Sequence, residues 1–197
     1  RRVLLHALRH GIRQRLREAR FPEVKTLDTF DFTTADGVSA TQIHTLARGE
    51  WVTGPENLIL AGPIGTGKTH LAIALGVEAP KQKRRVLFTR AADLVRQLVE
   101  ARDARELTRL QQRLRRVEVL VIDELGFVPF DRVGGELLFN LIADRYERRA
   151  TVVTTGRGAA VAVPTGVRVA PGCDHRGDGD HRDDDGAEDE RGVPEAR

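Results

Sequence analysis

At 197 residues and 40% hydrophobic content, the chain can bury the core of one ordinary domain. Charged residues are plentiful at 31%, and a single cysteine, Cys173, excludes a disulfide framework and points to a reducing compartment. The formal charge of +3 hides an asymmetry: from Gly156 on, six arginines face ten acidic residues, a net −4, which leaves +7 on the part up to Thr155. A basic body of that kind suits a polyanionic partner. No apolar run approaches the length of a membrane span and no signal peptide is visible, so a cytoplasmic protein without membrane contact is expected. The chain opens on Arg1 and contains no methionine, so its natural start is expected upstream.

In chain order, residues 1–20 read as a helix. Val3, Leu4, Leu5, Leu8, Ile12 and Leu16 recur at helical spacing, Arg2, Arg9, Arg13, Arg17 and Arg20 form a cationic flank, and Pro22 is expected to stop it. Either a DNA-contacting arm or a packing helix with a solvated arginine face fits that pattern. Phe30-Asp31-Phe32 reads as a loop held by its aromatic rings. Asp36 or Ser39 can cap a helix over 38–48, which leads through Trp51, a packing residue, to an apolar strand over 57–61.

Directly after that strand comes Gly62-Pro63-Ile64-Gly65-Thr66-Gly67-Lys68-Thr69, which fits G-x-x-x-x-G-K-[ST]. An apolar helical face follows from His70 to Gly76. Strand, glycine-rich loop and helix together make a phosphate site: backbone N–H groups converge at a helix N-terminus, where the dipole favours an anion. Gly62, Gly65 and Gly67 clear space for the phosphates, and some are expected at positive φ. Lys68 is placed to neutralise the β/γ-phosphates of ATP and Thr69 to ligate Mg²⁺.

Pro80 and residues 81–85 read as a turn, 86–88 as a second strand and 93–101 as a helix. Residues 103–116 form a basic helix, 117–122 a third strand, 134–149 a helix and 151–155 a fourth strand. Strands alternating with helices predict an α/β fold, a parallel sheet with helices on both faces. The third strand runs into Asp123 and Glu124. Downstream of a phosphate loop, Asp123 is expected in the Mg²⁺ shell and Glu124 as the base that orients and deprotonates water. That reading favours hydrolysis over transfer to a small molecule. A small-molecule kinase on the same core would need an acceptor lid that the sequence does not offer.

GPIGTGKTHLAIALG, FTRAADLVRQL, VLVIDELGFVPFDRVGGELLFNLIADRYERR and TVVTT resemble the IstB-type ATP-binding proteins of transposition, relatives of helicase loaders within the AAA+ class. The likeness runs from about Arg13 to Thr155. It implies a three-layer P-loop NTPase core, assembly into a homo-oligomer on DNA, and a transposase as partner. Residues Gly62 to Thr69 would bind ATP, Asp123 would support Mg²⁺ and Glu124 would be the base. Arg90, Arg132, Arg148 and Arg149 are the nominated DNA phosphate contacts.

The match stops at Thr155. The family continues into a γ-phosphate-sensing Asn, where this chain has Gly156, and then into an Asp-Arg-Leu helix carrying an arginine finger and into a last strand. None of these is expected here. The domain expectation is therefore a basic helix and linker over 1–30, an ATP-binding core over 31–155 and a disordered tail over 156–197. That tail lacks Leu, Ile, Phe, Tyr and Trp, and its composition suggests GC-rich DNA read out of frame. Slow turnover follows if the finger is missing, and a remnant that binds nucleotide or DNA without useful hydrolysis is the main alternative, ahead of a helicase loader. Cys173, His175 and His181 make a poor Zn²⁺ set, and residues 183–186 fail the spacing of a calcium loop.

Overall fold

Alternation along the central strands sets the architecture. The computed structural model describes residues 2–156, except 34, 36, 37, 55 and 128, together with the backbone of 166–169; side chains are described from residue 10 to 156. The strands are β1 (Asn57–Ala61), β2 (Val86–Arg90), β3 (Val119–Leu125), β4 (Ala150–Thr155) and β5 (Gly166–Val169). They form one sheet in the order β2-β3-β4-β1-β5, and every neighbouring pair is parallel. On β3, Val119 and Val121 join one core cluster while Leu120 and Ile122 join the other. A period of two in a strand buried on both sides demands a helical layer on each face.

The first layer holds α1 (Arg2–Glu18), α2 (Ala40–Ala47), the single turn α3 (Glu50–Thr53) and α4 (Lys68–Lys81). Its centre is α4, whose Leu71, Ala72, Ile73, Ala74, Leu75 and Val77 are buried. The second layer holds α5 (Ala91–Asp103), α6 (Leu107–Arg115) and α7 (Arg132–Arg145). Leu94 and Leu98 of α5, Leu114 of α6 and Leu141 of α7 meet Leu120, Ile122 and Val153 there. The expected three-layer parallel α/β fold is thus present. Ser39 caps α2 by accepting from the Gln42 N–H at 3.3 Å; the other nominated cap, Asp36, lies outside the described residues. Trp51 is buried and donates to the Leu46 carbonyl at 2.7 Å, a packing role.

Several boundaries differ from expectation. Helix α1 stops at Glu18, ahead of Pro22, because Arg20 takes φ +59° and ends the helical path. The Ala19 carbonyl then accepts from Phe88 N–H at 2.7 Å, which fastens this corner to the outer edge of β2. Pro80 sits inside the last turn of α4, and the turn begins at Gln82. So late in the helix the ring forfeits one backbone bond and little else. A larger correction concerns the sheet edge: a strand does follow Gly156. Gly166 to Val169 pairs with Asn57 to Leu60 along the free side of β1. Backbone groups on an open edge accept any extended segment able to pair with them, and Val167 and Val169 suit that conformation. Cys173, His175, His181 and residues 183–186 lie outside the described residues.

Candidate nucleotide-binding site

Sheet topology brings the loop after β1 beside the end of β3. Only β4 separates these strands, and the Gly62 N–H donates to the Thr155 carbonyl at 3.2 Å, which fixes the loop's start against β4. Gly65 and Gly67 adopt φ +84° and +80°, so two of the three glycines are in the left-handed region and Gly62 is not. At Gly67, the N-cap of α4, a Cβ would also lie 2.6 Å from the Phe30 ring. Position 67 is therefore closed to side chains by conformation and by space.

Phe30 belongs to the aromatic loop read from the sequence. Its ring meets Phe32 edge-on at 4.8 Å and His70 at 5.2 Å. His70, one turn into α4, has Nε2 2.9 Å from the Thr26 carbonyl oxygen. The segment before β1 is thereby tied to the first turn of the phosphate helix.

Lys68 begins α4 and is 7% exposed. Its Nζ curls back over the loop and donates to the Pro63 carbonyl at 2.5 Å and to Thr66 Oγ1 at 3.4 Å. Burial pushes its pKa below the ordinary lysine value, while the charge of Asp123 opposes that shift. Thr69 Oγ1 donates to Asp123 Oδ1 at 2.8 Å, across 54 residues of chain.

The acidic pair sits within β3, whose pairing continues to Leu125. Ile122 faces Val153 and Leu125 faces Thr155, so Asp123 and Glu124 together oppose Thr154. Such a β-bulge re-aims side chains at a sheet rim. Glu124 carries the cost of it at φ +61°, a conformation rare outside glycine. The result separates two neighbouring carboxylates: Asp123 is 3% exposed and turned to Thr69, while Glu124 projects outward with its side chain 54% exposed. Arg90, at the end of β2, holds its Nε 3.7 Å from Glu124 Oε2.

Sequence reasoning missed Thr154. Its hydroxyl donates to Asp123 Oδ1 at 2.5 Å and accepts the Glu124 N–H at 2.9 Å. One buried hydroxyl therefore fixes both members of the acidic pair. The signal was a threonine interrupting an apolar strand, which is uninformative until β4 is known to lie beside β3. The four nominated DNA contacts are not brought together. Arg90 lies beside Glu124, Arg132 pairs with Glu136 at 2.9 Å, and Arg148 pairs with Asp144 at 3.4 Å. Arg149 donates to the Arg115 carbonyl at 3.3 Å. Arg148 and Arg149 precede β4 and sit at the end of the sheet away from the glycine loop.

Oxygen donors two residue types deep, Thr69 and Asp123, suit a magnesium ion that draws its remaining ligands from phosphate and water. Among the described residues no cluster of three or more His, Cys, Asp or Glu exists to hold a metal by protein ligands alone. No helix among them is long and apolar enough to cross a membrane.

Residues 4–160 match the family of IstB-like ATP binding proteins. An insertion sequence IS21 protein of Pseudomonas aeruginosa, named for ATP binding, is 43% identical over 150 residues, covering 76% of this chain and 57% of that protein. A relative in IS5376 of Geobacillus stearothermophilus, similarly named, is 37% identical, covering 75% and 59%. The chain thus spans little more than half the length of these relatives. Among solved structures, AMPPCP-bound DnaA of Aquifex aeolicus superposes with TM-score 0.62 at 20% identity, over 77% of this chain and 50% of that one. The DnaC helicase loader superposes with TM-score 0.59 at 22% identity, over 67% and 87%. These two share the three-layer parallel α/β fold. The chain belongs to the IstB-like ATP binding protein family.

Proposed function

We propose that this chain is the ATP-binding core of a DNA-associated ATPase that assists a transposase in moving an insertion sequence. The observation that carries the reading is the Thr69–Asp123 hydrogen bond beside buried Lys68. It gathers, at one helix N-terminus, the cation, the hydroxyl and the carboxylate that a magnesium-bound triphosphate requires. Backbone N–H groups of Gly62 to Thr69 would seat the β- and γ-phosphates. Lys68 would exchange its Pro63 carbonyl for phosphate oxygens. Thr69 and Asp123 would hold Mg²⁺, which when bound neutralises charge developing on the phosphate oxygens. Glu124, exposed and one residue along from Asp123, would orient the attacking water and take its proton.

Insertion-sequence relatives supply the transposition context, and the +7 carried up to Thr155 supplies the attraction to DNA. Assembly into a homo-oligomer on DNA belongs to the same reading. Arg90 Nε stands 3.7 Å from Glu124 Oε2 in an exposed pair that leaves Glu124 open to water. Steady-state ATP hydrolysis by the wild-type chain with duplex DNA present, set against Glu124→Gln, tests the enzyme reading. A wild-type rate at least tenfold above the variant supports it. Equal rates, with ATP binding intact in both, would leave a nucleotide-binding protein without turnover.

A further inference from the structure

Away from the glycine loop, the outer edge of β2 forms the wall of a groove of about 400 Å³ between the end of α1, α5 and the end of α6. Its floor is apolar. Its rim carries Arg15, Arg20, Arg85, Arg113 and Arg116, with Glu18 as the single acidic residue. Among the described residues, none of these five arginine side chains has an acidic group within ion-pair distance. Of the other surface arginines, Arg84 pairs with Glu118, Arg96 with Asp93, Arg102 with Asp103 and Arg115 with Asp144, while Arg13, Arg17, Arg48 and Arg105 have no ion pair among the described residues and do not line this groove. Five cations left uncompensated around one concavity repel one another and raise the local potential, and a polyanion relieves both.

We propose that this groove seats the phosphate backbone of duplex DNA, an assignment that rests on the DNA-associated reading above and places its contact surface. A protein strand adding to β2 is the less suitable occupant. The edge is already bonded at Phe88 by the Ala19 carbonyl, and arginines along an edge discourage strand addition. Guanidinium forks pair with phosphate oxygens in two parallel bonds, and contacts of that kind make binding steeply dependent on salt. A second groove between α5 and α6 shares Arg113 and Arg116, but Glu100 and Glu106 also line it and Arg109 there lies 3.9 Å from Glu106, so of the two grooves it is the first whose cations stand uncompensated.

The test measures affinity of the full chain for a fluorescent duplex of arbitrary sequence between 50 and 200 mM salt. Wild type is compared with Arg113→Glu/Arg116→Glu, both exposed positions at the end of α6, with the milder Arg113→Gln/Arg116→Gln, and with Lys81→Glu on α4, a half-exposed cation outside the groove. ATP binding monitors folding. Removing two phosphate contacts should lower the slope of log affinity against log salt by about 1.8, so the affinity ratio across that salt range shrinks about twelvefold. Lys81→Glu should stay within twofold of wild type. The glutamine pair should show the same slope change with a smaller loss of affinity. If both double variants keep wild-type affinity and slope while wild type binds, the groove assignment is overturned, and the rim is left to another anion such as the chain's own acidic residues 174–190. If wild type itself fails to bind duplex at 50 mM salt, the DNA-associated reading falls instead.

Discussion

Replacing Thr154 by valine removes one hydroxyl and keeps the β-branched shape that β4 packs. Thr154 is 1% exposed, and its Oγ1 is shared between Asp123 Oδ1 and the Glu124 N–H. The bond to a carboxylate contributes about 1.5–3 kcal/mol, and the orphaned N–H costs about 1–3 kcal/mol. Asp123 keeps Thr69, and the two losses share an atom, so a combined loss of about 2–4 kcal/mol is expected rather than their sum. With a urea slope of about 2 kcal/mol/M, the unfolding midpoint of Thr154→Val falls by about 1–2 M. Thr154→Ser retains the hydroxyl and should lose less than about 1 kcal/mol. Turnover should respond more than binding. Glu124 is held at φ +61° by this bond, and a shift of about 1 Å costs on the order of 100-fold in rate, while the loop that seats the phosphates is untouched. Urea denaturation and ATP hydrolysis on the same preparations read both effects. A Thr154→Val chain within 0.5 kcal/mol of wild type, with unchanged turnover, would refute the reasoning.

Arg145 offers a second test. It is 1% exposed, and its guanidinium donates to the carbonyls of Leu114, Val117 and Ala150 at 2.9, 3.1 and 2.8 Å and to Thr151 Oγ1 at 3.3 Å. Burial, with Arg149 nearby, pushes its pKa down to about 10. Arg145→Met removes a donor from three carbonyls, of which Leu114 still accepts from the Val117 N–H at 3.1 Å, and should cost about 3 kcal/mol or more in urea unfolding, with Arg145→Lys recovering part of it; a neutral methionine variant would contradict the bonding described. The pH dependence follows from two carboxylates. Desolvation raises the Glu118 pKa, but Arg84 and the Arg85 N–H outweigh it, and the Arg115 hydrogen bond lowers that of Asp144. Folded pKa values depressed in this way give stability that is present above the ordinary values of 4.5 and 3.8 and lost as pH falls through the folded ones. Thermal unfolding should therefore hold its midpoint down to about pH 5 and drop below about pH 4, with Glu118→Gln/Asp144→Asn flattening the drop; an identical acid profile in that variant would count against it.

How far the sequence could be read depends on what each feature requires. The glycine loop is local: its spacing, the strand before it and the helix after it all lie within 20 residues, and Gly65 and Gly67 adopt the positive φ that the motif needs. The parallel sheet was legible because strands buried on both faces read as apolar runs separated by helices. Thr154 and Arg145 were not legible. Each acts across strands or layers, and a threonine in a strand or an arginine near a helix end carries no sign of its tertiary partner. The bulge at Asp123 and Glu124 was hidden for the same reason, since it exists only in the register between β3 and β4. Strand β5 escaped because four residues in a glycine- and arginine-containing stretch have weak strand propensity, and pairing with the exposed side of β1 supplies what the sequence lacks.

Calorimetric binding of Mg-ATP to the wild-type chain and to Lys68→Ala bears most directly on the seat of the triphosphate. Wild type should bind, and Lys68→Ala should lose at least about tenfold in affinity, the equivalent of about 1.4 kcal/mol, with its urea midpoint little changed. Equal affinities in the two proteins would contradict the placement of the phosphates between Gly62 and Thr69.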